Sequence, residues 1–288
     1  MDIESKKFLG QPKNFVSIFN ALLFDGQPVL KPEYLKDENS ELVMNVSSKH
    51  VDIIKRYEDG TYLDLFVIES QSYVDQCMVA RVMEYECVAR MRYIRQNFKK
   101  HVPMHTRLPM ILTVVLYVGE SKWNAAKRLS ELEIIHPAFE DMFNEFKLNL
   151  IELNTNHKYN TGEKATQDFF DLLRMIYRKQ ILKENLDREF NRDALYFAYV
   201  VTKNKELLNI YQESEKGDVK VCRALDEMFE ESTNKGIQMG IKQGIEQGIA
   251  LNQFEVYQTM LDKGFSVKAI ASIFSVSEES IKTLLMKA

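Results

Sequence analysis

Three polar side chains have the types and spacing to bind a hard divalent cation: Asp52, Glu69 and Gln71. Glu69 and Gln71 lie two residues apart where a β-branched and aromatic run ends, so in a strand they point to one face, about 6.5 Å apart. Asp52 lies in the preceding apolar stretch, and a short hairpin would bring it opposite Glu69. Carboxylates converging at a strand end favour Mg²⁺ or Mn²⁺, which take oxygen ligands.

The chemistry that such a site predicts is phosphodiester hydrolysis. A cation bridging a scissile phosphate polarises it, activates a water and stabilises the leaving oxygen. Asp64 is five residues before Glu69 and should face the other side of the strand, outside the site. On spacing alone, polar residues that are simply exposed at a strand end are the better explanation, because so short a motif has many chance matches.

The elements that would position these residues follow from hydrophobic periodicity and turn signals. A helix over 14–24 precedes strands over 41–46, 50–57 and 61–70, and the turn at 58–60 separates the last two. A long helix over 74–97 should follow, and then strands over 108–119 and 146–153; the first of these is apolar enough to be buried on both faces. This order predicts an α/β fold with a mixed sheet flanked by helices.

The chain becomes helical after about residue 160, which suggests three parts: an α/β domain with the candidate site over 1–155, a helical accessory region over 156–235 and a tail over 236–288. Residues 236–249 repeat Gly-Ile every four positions. Helix-interior glycines cost about 1 kcal/mol each relative to alanine, so the repeat predicts close packing of another helix, or else a frayed linker. Three short helices over 253–287 resemble a helix-turn-helix, although Glu278 and Glu279 would oppose phosphate. We therefore favour packing or homo-oligomerisation through these helices over reading of DNA sequence.

The net charge and the cysteine content limit which cellular compartment and which binding partners the sequence predicts. The net charge is −4, so a nucleic-acid partner needs a local basic patch. The run over 88–109 provides one, with six basic residues and no acid: Arg90, Arg92, Arg95, Lys99, Lys100 and Arg107. A solvated helix face would look the same. The absence of a signal peptide or a long apolar run, together with three widely spaced cysteines, predicts a cytoplasmic chain with buried, reduced thiols and no membrane contact.

The stretch around these residues resembles the recombination-promoting nucleases, also described as transposases, of the PD-(D/E)XK nuclease superfamily. The matching features are Asp52, the apolar strand that ends in Glu69-x-Gln71-Ser72, and the helix start with Asp75, Met78, Arg81 and Tyr85. The strand with Trp123 and the terminal Gly-Ile repeat also look like the family, so the resemblance covers nearly the whole chain.

The resemblance implies a restriction-endonuclease-like core, divalent-metal cleavage of DNA and a role in recombination or DNA mobility. Arg81 resembles the helix arginine of the family, which would contact phosphate or orient Glu69; a surface ion pair with Glu84 or Asp75 is the alternative. Gln71 replaces the lysine of most superfamily members, which predicts slow chemistry because an amide stabilises developing charge less. Val51 stands where relatives often have arginine. It leaves open a catalytically impaired DNA-binding or scaffold protein that keeps the nuclease fold.

Overall fold

The computed structural model describes residues 3–37, 53–60, 63–98, 101–181, 188–214 and 217–287. The chain divides into two compact units, Met1–Asp226 and Glu227–Ala288. The strand predicted over 41–46, Asp52 and two of the predicted DNA contacts, Lys99 and Lys100, lie outside the described residues. The three-part division predicted from the sequence stays a prediction.

The first unit is built on a five-stranded mixed sheet, which confirms the predicted α/β class. The strands, in sheet order, are β1 (Leu35–Asp37), β2 (Ile53–Glu58), β3 (Leu63–Gln71), β4 (Ile111–Tyr117) and β5 (Asn149–Glu152). The first three strands pair antiparallel, whereas β3, β4 and β5 run parallel. Antiparallel neighbours need only a hairpin, whereas parallel neighbours need a crossover, here a helix between β3 and β4.

That crossover helix, α3 (Met78–Asn97), covers one face of the sheet. Odd-numbered residues of β3 face it, because Leu65 and Val67 share a core cluster with Tyr85 of the helix. Even-numbered residues face α2 (Pro12–Phe24), where the rings of Phe66 and Phe19 lie 4.9 Å apart. α3 begins four residues later than the predicted start at 74, because residues 72–77 form bends and turns instead.

The remaining elements of the first unit are mainly helical. They are α1 (Ile3–Leu9), α4 (Lys164–Arg178), β6 (Glu189–Phe190), α5 (Arg192–Thr202), α6 (Lys205–Glu213) and β7 (Val219–Lys220). The aromatic rings of Phe8, Phe169 and Phe197 pack together and join α1, α4 and α5. The helical change predicted after residue 160 is therefore confirmed, but this region shares its core with the amino-terminal helix.

The boundary between the units falls within α7 (Cys222–Asp262), which α8 (Val267–Phe274) and α9 (Glu278–Lys287) follow. Tyr257, Ile270, Ala271 and Ile281 form a small buried core in the second unit. Of the three short helices predicted over 253–287, the first is the end of the long α7, and the other two are α8 and α9. Gly264, after α7, has φ +90°, and the hydroxyls of Ser266 and Ser277 accept hydrogen bonds from the first turns of α8 and α9.

The Gly-Ile repeat is helical within α7. A Cβ placed at Gly236, Gly240, Gly244 or Gly248 would meet no atom within 4 Å in the described part of the chain. The four isoleucines are between 54% and 58% exposed: Ile237, Ile241, Ile245 and Ile249. The packing partner that the repeat predicts is therefore absent from the described residues.

The cysteine prediction needs a correction. All three cysteines lie in the described ranges and none forms a disulfide, but Cys77 and Cys87 are exposed and only Cys222 is buried. Cys77 precedes α3, and Cys87 lies on the side of α3 away from the sheet, whereas Met78, Val82 and Tyr85 face it. Among the described helices, none is both long and apolar enough to cross a bilayer.

Candidate active site

Glu69 and Gln71 are both buried where β3 ends, each with 4% of its surface exposed. Their odd numbers place them on the α3 face with Leu65 and Val67, as the alternation along the strand predicts. Asp64 is on the opposite face with Phe66, and its carboxylate accepts a hydrogen bond from Met110 N at 3.1 Å. The structure thus brings Glu69 and Gln71 together and keeps Asp64 apart.

Asp52, the third predicted site residue, lies outside the described residues. Its bonded neighbour Ile53 is the first residue of β2 and pairs with Ile68, the residue before Glu69. The described pairing of β2 with β3 therefore ends at the residue next to Asp52 on one strand and at the residue next to Glu69 on the other.

Arg81 connects Glu69 to the first two turns of α3. One terminal nitrogen, Nη2, donates to Glu69 Oε1 at 2.8 Å, and the other, Nη1, donates to Asp75 Oδ2. Nε donates to the Tyr85 hydroxyl at 3.2 Å. Both sequence alternatives for Arg81 therefore hold in part: it contacts Glu69 and also pairs with Asp75.

The electrostatics of this cluster favour a charged guanidinium. Burial opposes the charge of Arg81, but the hydrogen bonds to Asp75 and Tyr85 and the charge of Glu69 outweigh it, so the pKa of Arg81 is raised. The pKa of Tyr85 is also raised, by burial and by the neighbouring Glu69, against the opposing bond from Arg81. The Tyr85 hydroxyl thus keeps its own proton at neutral pH, and its oxygen accepts the bond from Arg81 Nε.

Gln71 has an unused donor. Its Nε2 is buried and has no hydrogen-bond partner among the residues that the structure describes. An amide nitrogen carries two donors, and leaving them unsatisfied in a buried position costs about 1–3 kcal/mol. A water or a ligand oxygen would satisfy this group, so the side chain suits a binding position.

The ends of the three parallel strands meet beside Gln71. Gln71 pairs with Tyr117 of β4, and Tyr117 pairs with Glu152 of β5, whose carboxylate accepts a hydrogen bond from Lys127. The loops after β3 and β4 approach so closely that a Cβ on Gly119 would lie 2.6 Å from Ser72 O. Glu152, which the sequence analysis did not single out, therefore lies at the same sheet edge as Gln71, two strands away.

The donor chemistry at this edge fits a hard divalent cation. Glu69 and Gln71 offer carboxylate and amide oxygens on one face, the ligand type that Mg²⁺ takes, and Mg²⁺ usually keeps several waters. Within the described ranges no group of three or more acidic, histidine or cysteine ligands occurs. The second carboxylate that the sequence predicts for this site, Asp52, lies outside those ranges.

Of the predicted DNA contacts, four are in described positions on α3. Arg81 belongs to the Glu69 cluster, whereas Arg90, Arg92 and Arg95 follow it along the helix. Arg90 Nη2 lies 3.9 Å from Oε2 of the buried Glu86, and Arg95 is exposed.

The sequence analysis did not single out Glu86 as a buried acid. Its carboxylate accepts a hydrogen bond from Thr113 N at 3.0 Å, and its burial raises its pKa.

Comparison with known proteins gives one result. A family model described as "Putative transposase, YhgA-like" matches residues 33–206, more than half of the chain. The matched range contains Asp52, Glu69, Gln71 and the whole of α3. No curated protein and no solved structure matches the chain.

Proposed function

Since the chain belongs to this transposase family of the PD-(D/E)XK nuclease superfamily, we propose that it is a divalent-metal-dependent DNA endonuclease. The observation that carries the proposal is the buried pair Glu69 and Gln71 on one face at the end of β3, with a cation, Arg81, bonded to the carboxylate. The sheet and α3 would then be a restriction-endonuclease-like core, and the biological role would be recombination or DNA mobility.

Asp52 is the proposed second carboxylate. It is bonded to Ile53, which pairs with Ile68, and consecutive Cα atoms are about 3.8 Å apart. If the antiparallel pairing continues by one residue, Asp52 stands opposite Glu69. Directly opposite residues of antiparallel strands share a face, with Cβ atoms about 4.5–5.5 Å apart. Both carboxylates could then bind one Mg²⁺ or Mn²⁺.

Each residue has a distinct role in this proposal. Asp52 and Glu69 hold the cation, which when bound would polarise the scissile phosphate and activate a water. Gln71 uses its buried amide to orient a water or a phosphate oxygen. Arg81 neutralises the Glu69 carboxylate while no metal is bound. An amide carries no net charge, so we expect slower cleavage than a lysine at this position would give.

DNA would follow α3, whose basic residues Arg90, Arg92 and Arg95 succeed the Glu69 cluster along the helix. Contacts to phosphates bind without reading sequence, because every nucleotide presents the same group. Lys99 and Lys100 extend the same basic run in the sequence.

The four exposed isoleucines of the repeat form a surface that we call the Gly-Ile ridge: Ile237, Ile241, Ile245 and Ile249. This ridge supports a further proposal, that the tail over 236–288 joins copies of the chain.

The test is a cleavage assay on supercoiled and on linear DNA, with Mg²⁺ and with EDTA. The proposal expects nicked or linear products from the supercoiled substrate with Mg²⁺ and none with EDTA. An impaired nuclease that only binds DNA would shift the substrate in a gel under both conditions without cutting it. That result would replace the endonuclease proposal.

A further inference from the structure

The Glu69 cluster contains a cation that is close enough to neutralise the carboxylate. The side chain of Glu69 is 5% exposed, that of Arg81 16% and that of Asp75 19%. A buried carboxylate needs a counter-charge, because a low-dielectric interior disfavours an uncompensated ion. Among the described residues, Arg81 supplies this charge to Glu69 at 2.8 Å.

The position of Arg81 is over-determined by groups other than Glu69. Nη1 and Nε are bonded to Asp75 and Tyr85, and the guanidinium lies 5.8 Å from the centre of the Tyr85 ring. Asp75 is itself anchored, because its other carboxylate oxygen accepts from Cys77 N at 2.9 Å. Arg81 can therefore stay bound to Asp75 and Tyr85 while its bond to Glu69 is broken.

From these contacts we propose that Arg81 is an internal counter-cation, which competes with the divalent metal for the Glu69 carboxylate. The inference rests on the proposed metal site. Two cations at one carboxylate repel each other, and in a partly buried site this repulsion is weakly screened. Metal binding must therefore break or weaken the Arg81–Glu69 bond. Arg81 in this way raises the metal concentration that the site needs.

The change in metal affinity on removing Arg81 has opposite signs for a competing cation and for a residue that only positions Glu69. If Arg81 only orients Glu69 for the metal, its removal weakens metal binding. If it competes, Arg81→Gln strengthens binding, by about tenfold or more, the scale of one charge-assisted hydrogen bond. The metal affinity of Arg81→Lys should fall between those of the wild type and Arg81→Gln. Lysine keeps the charge but cannot make the three hydrogen bonds of the guanidinium to Glu69, Asp75 and Tyr85.

The experiment measures Mn²⁺ binding to the full chain without DNA, by isothermal titration calorimetry. The variants are Arg81→Gln, Arg81→Lys and Glu69→Gln. Lys122→Gln is the matched control, since it removes one positive charge from an exposed loop position. We expect tighter binding in both Arg81 variants, unchanged binding in the control and loss of binding in Glu69→Gln.

A second readout follows folding in the same chains. The single tryptophan, Trp123, is buried against Tyr117 and reports unfolding by its fluorescence. Arg81→Gln should melt at a lower temperature than the wild type in EDTA and gain more from Mn²⁺, because the metal then supplies the missing charge. If Arg81→Gln does not fold, Arg81→Lys decides by its Mn²⁺ affinity.

The outcomes separate this inference from the proposed function. Equal or weaker Mn²⁺ binding in the Arg81 variants, with binding still lost in Glu69→Gln, overturns the counter-cation and leaves the metal site intact. Mn²⁺ binding that survives Glu69→Gln unchanged, or that is missing from every chain, overturns the metal site itself.

Discussion

The alternation of side chains along β3 decides which of its polar residues can meet at one site. Glu69 and Gln71 share the α3 face, and the intervening Ser70 faces the other way. The same alternation sends Asp64 to the α2 face, where it bonds Met110 N. Asp64 and Glu69, two acidic residues of one strand, thus lie on opposite faces of the sheet. Their substitutions should therefore have different effects on cleavage.

We predict that Gln71→Lys preserves or increases Mg²⁺-dependent cleavage. Lysine would place a positive charge next to Glu69, where Gln71 now offers an amide whose Nε2 has no partner in the described part of the chain. The measurement is the nicking rate of supercoiled DNA. Asp64→Ala is the control: it should cleave normally and lose about 1 kcal/mol of stability with the bond to Met110. A Gln71→Lys protein that is folded but inactive would refute the proposed role of this position.

Glu86 gives a prediction about pH. Burial raises its pKa above the ordinary 4.5, against the opposing bonds from Thr113. The folded chain therefore binds this proton more tightly than the unfolded chain, so stability falls as the pH rises from about 4.5 through the raised pKa. Glu86→Gln keeps an acceptor for Thr113 N and removes this loss. Its stability relative to the wild type, from urea unfolding followed by Trp123 fluorescence, should be greater at about pH 7 than at about pH 4. A constant difference would contradict the assignment.

The direction in which a single side chain points could be predicted from the sequence where the regular geometry of a strand or a helix determines it. Strand alternation placed Glu69, Gln71 and Asp64, and the i,i+4 relation on a helix places Arg81 next to Tyr85. The sequence could not give the bond between Arg81 and Glu69, which depends on how α3 lies across the sheet. It also missed the burial of Glu86, because an acidic residue on a helix is usually exposed.

The helix α3 carries two different groups of residues along its length. Its first turns hold the Glu69 cluster through Arg81 and Tyr85, and its later turns carry Arg90, Arg92 and Arg95. Periodicity predicted the helix and most of the strands because their apolar residues recur at helix or strand spacing. The short strand β1 was not predicted, because three residues are too few for a period to show.

The basic turns of α3 should track the DNA backbone. Replacing Arg90, Arg92 and Arg95 together with glutamine should weaken DNA binding and flatten its salt dependence, by about 0.9 in the log–log slope for each phosphate that the variant no longer neutralises. The measurement is fluorescence anisotropy of a labelled duplex in EDTA over a range of salt concentrations. Lys6, Lys7 and Lys13, exposed on α1 and α2, form a control of equal charge. An unchanged slope in the α3 variant would remove this helix from the interface.

At the scale of the whole molecule, the Gly-Ile ridge of α7 is an apolar surface with no described partner inside the chain. We predict that a chain truncated after Thr233 forms a smaller assembly by light scattering and still nicks DNA. The full chain with Ile241→Gln and Ile245→Gln is the matched variant, since it removes exposed apolar area and keeps the helix. A truncated chain that is folded but inactive would show that the tail takes part in substrate binding.

The composition and the order of elements predicted the fold class, since alternating strands and helices require a sheet covered by helices. They did not predict that the amino-terminal helix α1 packs with α4 and α5. That packing joins residues far apart in the chain through Phe8, Phe169 and Phe197. Local periodicity carries no information about such pairings.

In the proposed nuclease, Asp52 and Glu69 together hold one metal for DNA cleavage, and the nicking rates of variants at these two positions measure this directly. Asp52→Asn and Glu69→Gln keep the shape of each side chain and remove its charge. We predict that both lose Mg²⁺-dependent nicking of supercoiled DNA while their thermal melts in EDTA stay close to that of the wild type. Removing one of two nearby carboxylates relieves their repulsion, and Arg81 keeps its bonds to Asp75 and Tyr85 when Glu69 loses its charge. Wild-type, Mg²⁺-dependent nicking by either folded variant would contradict the account.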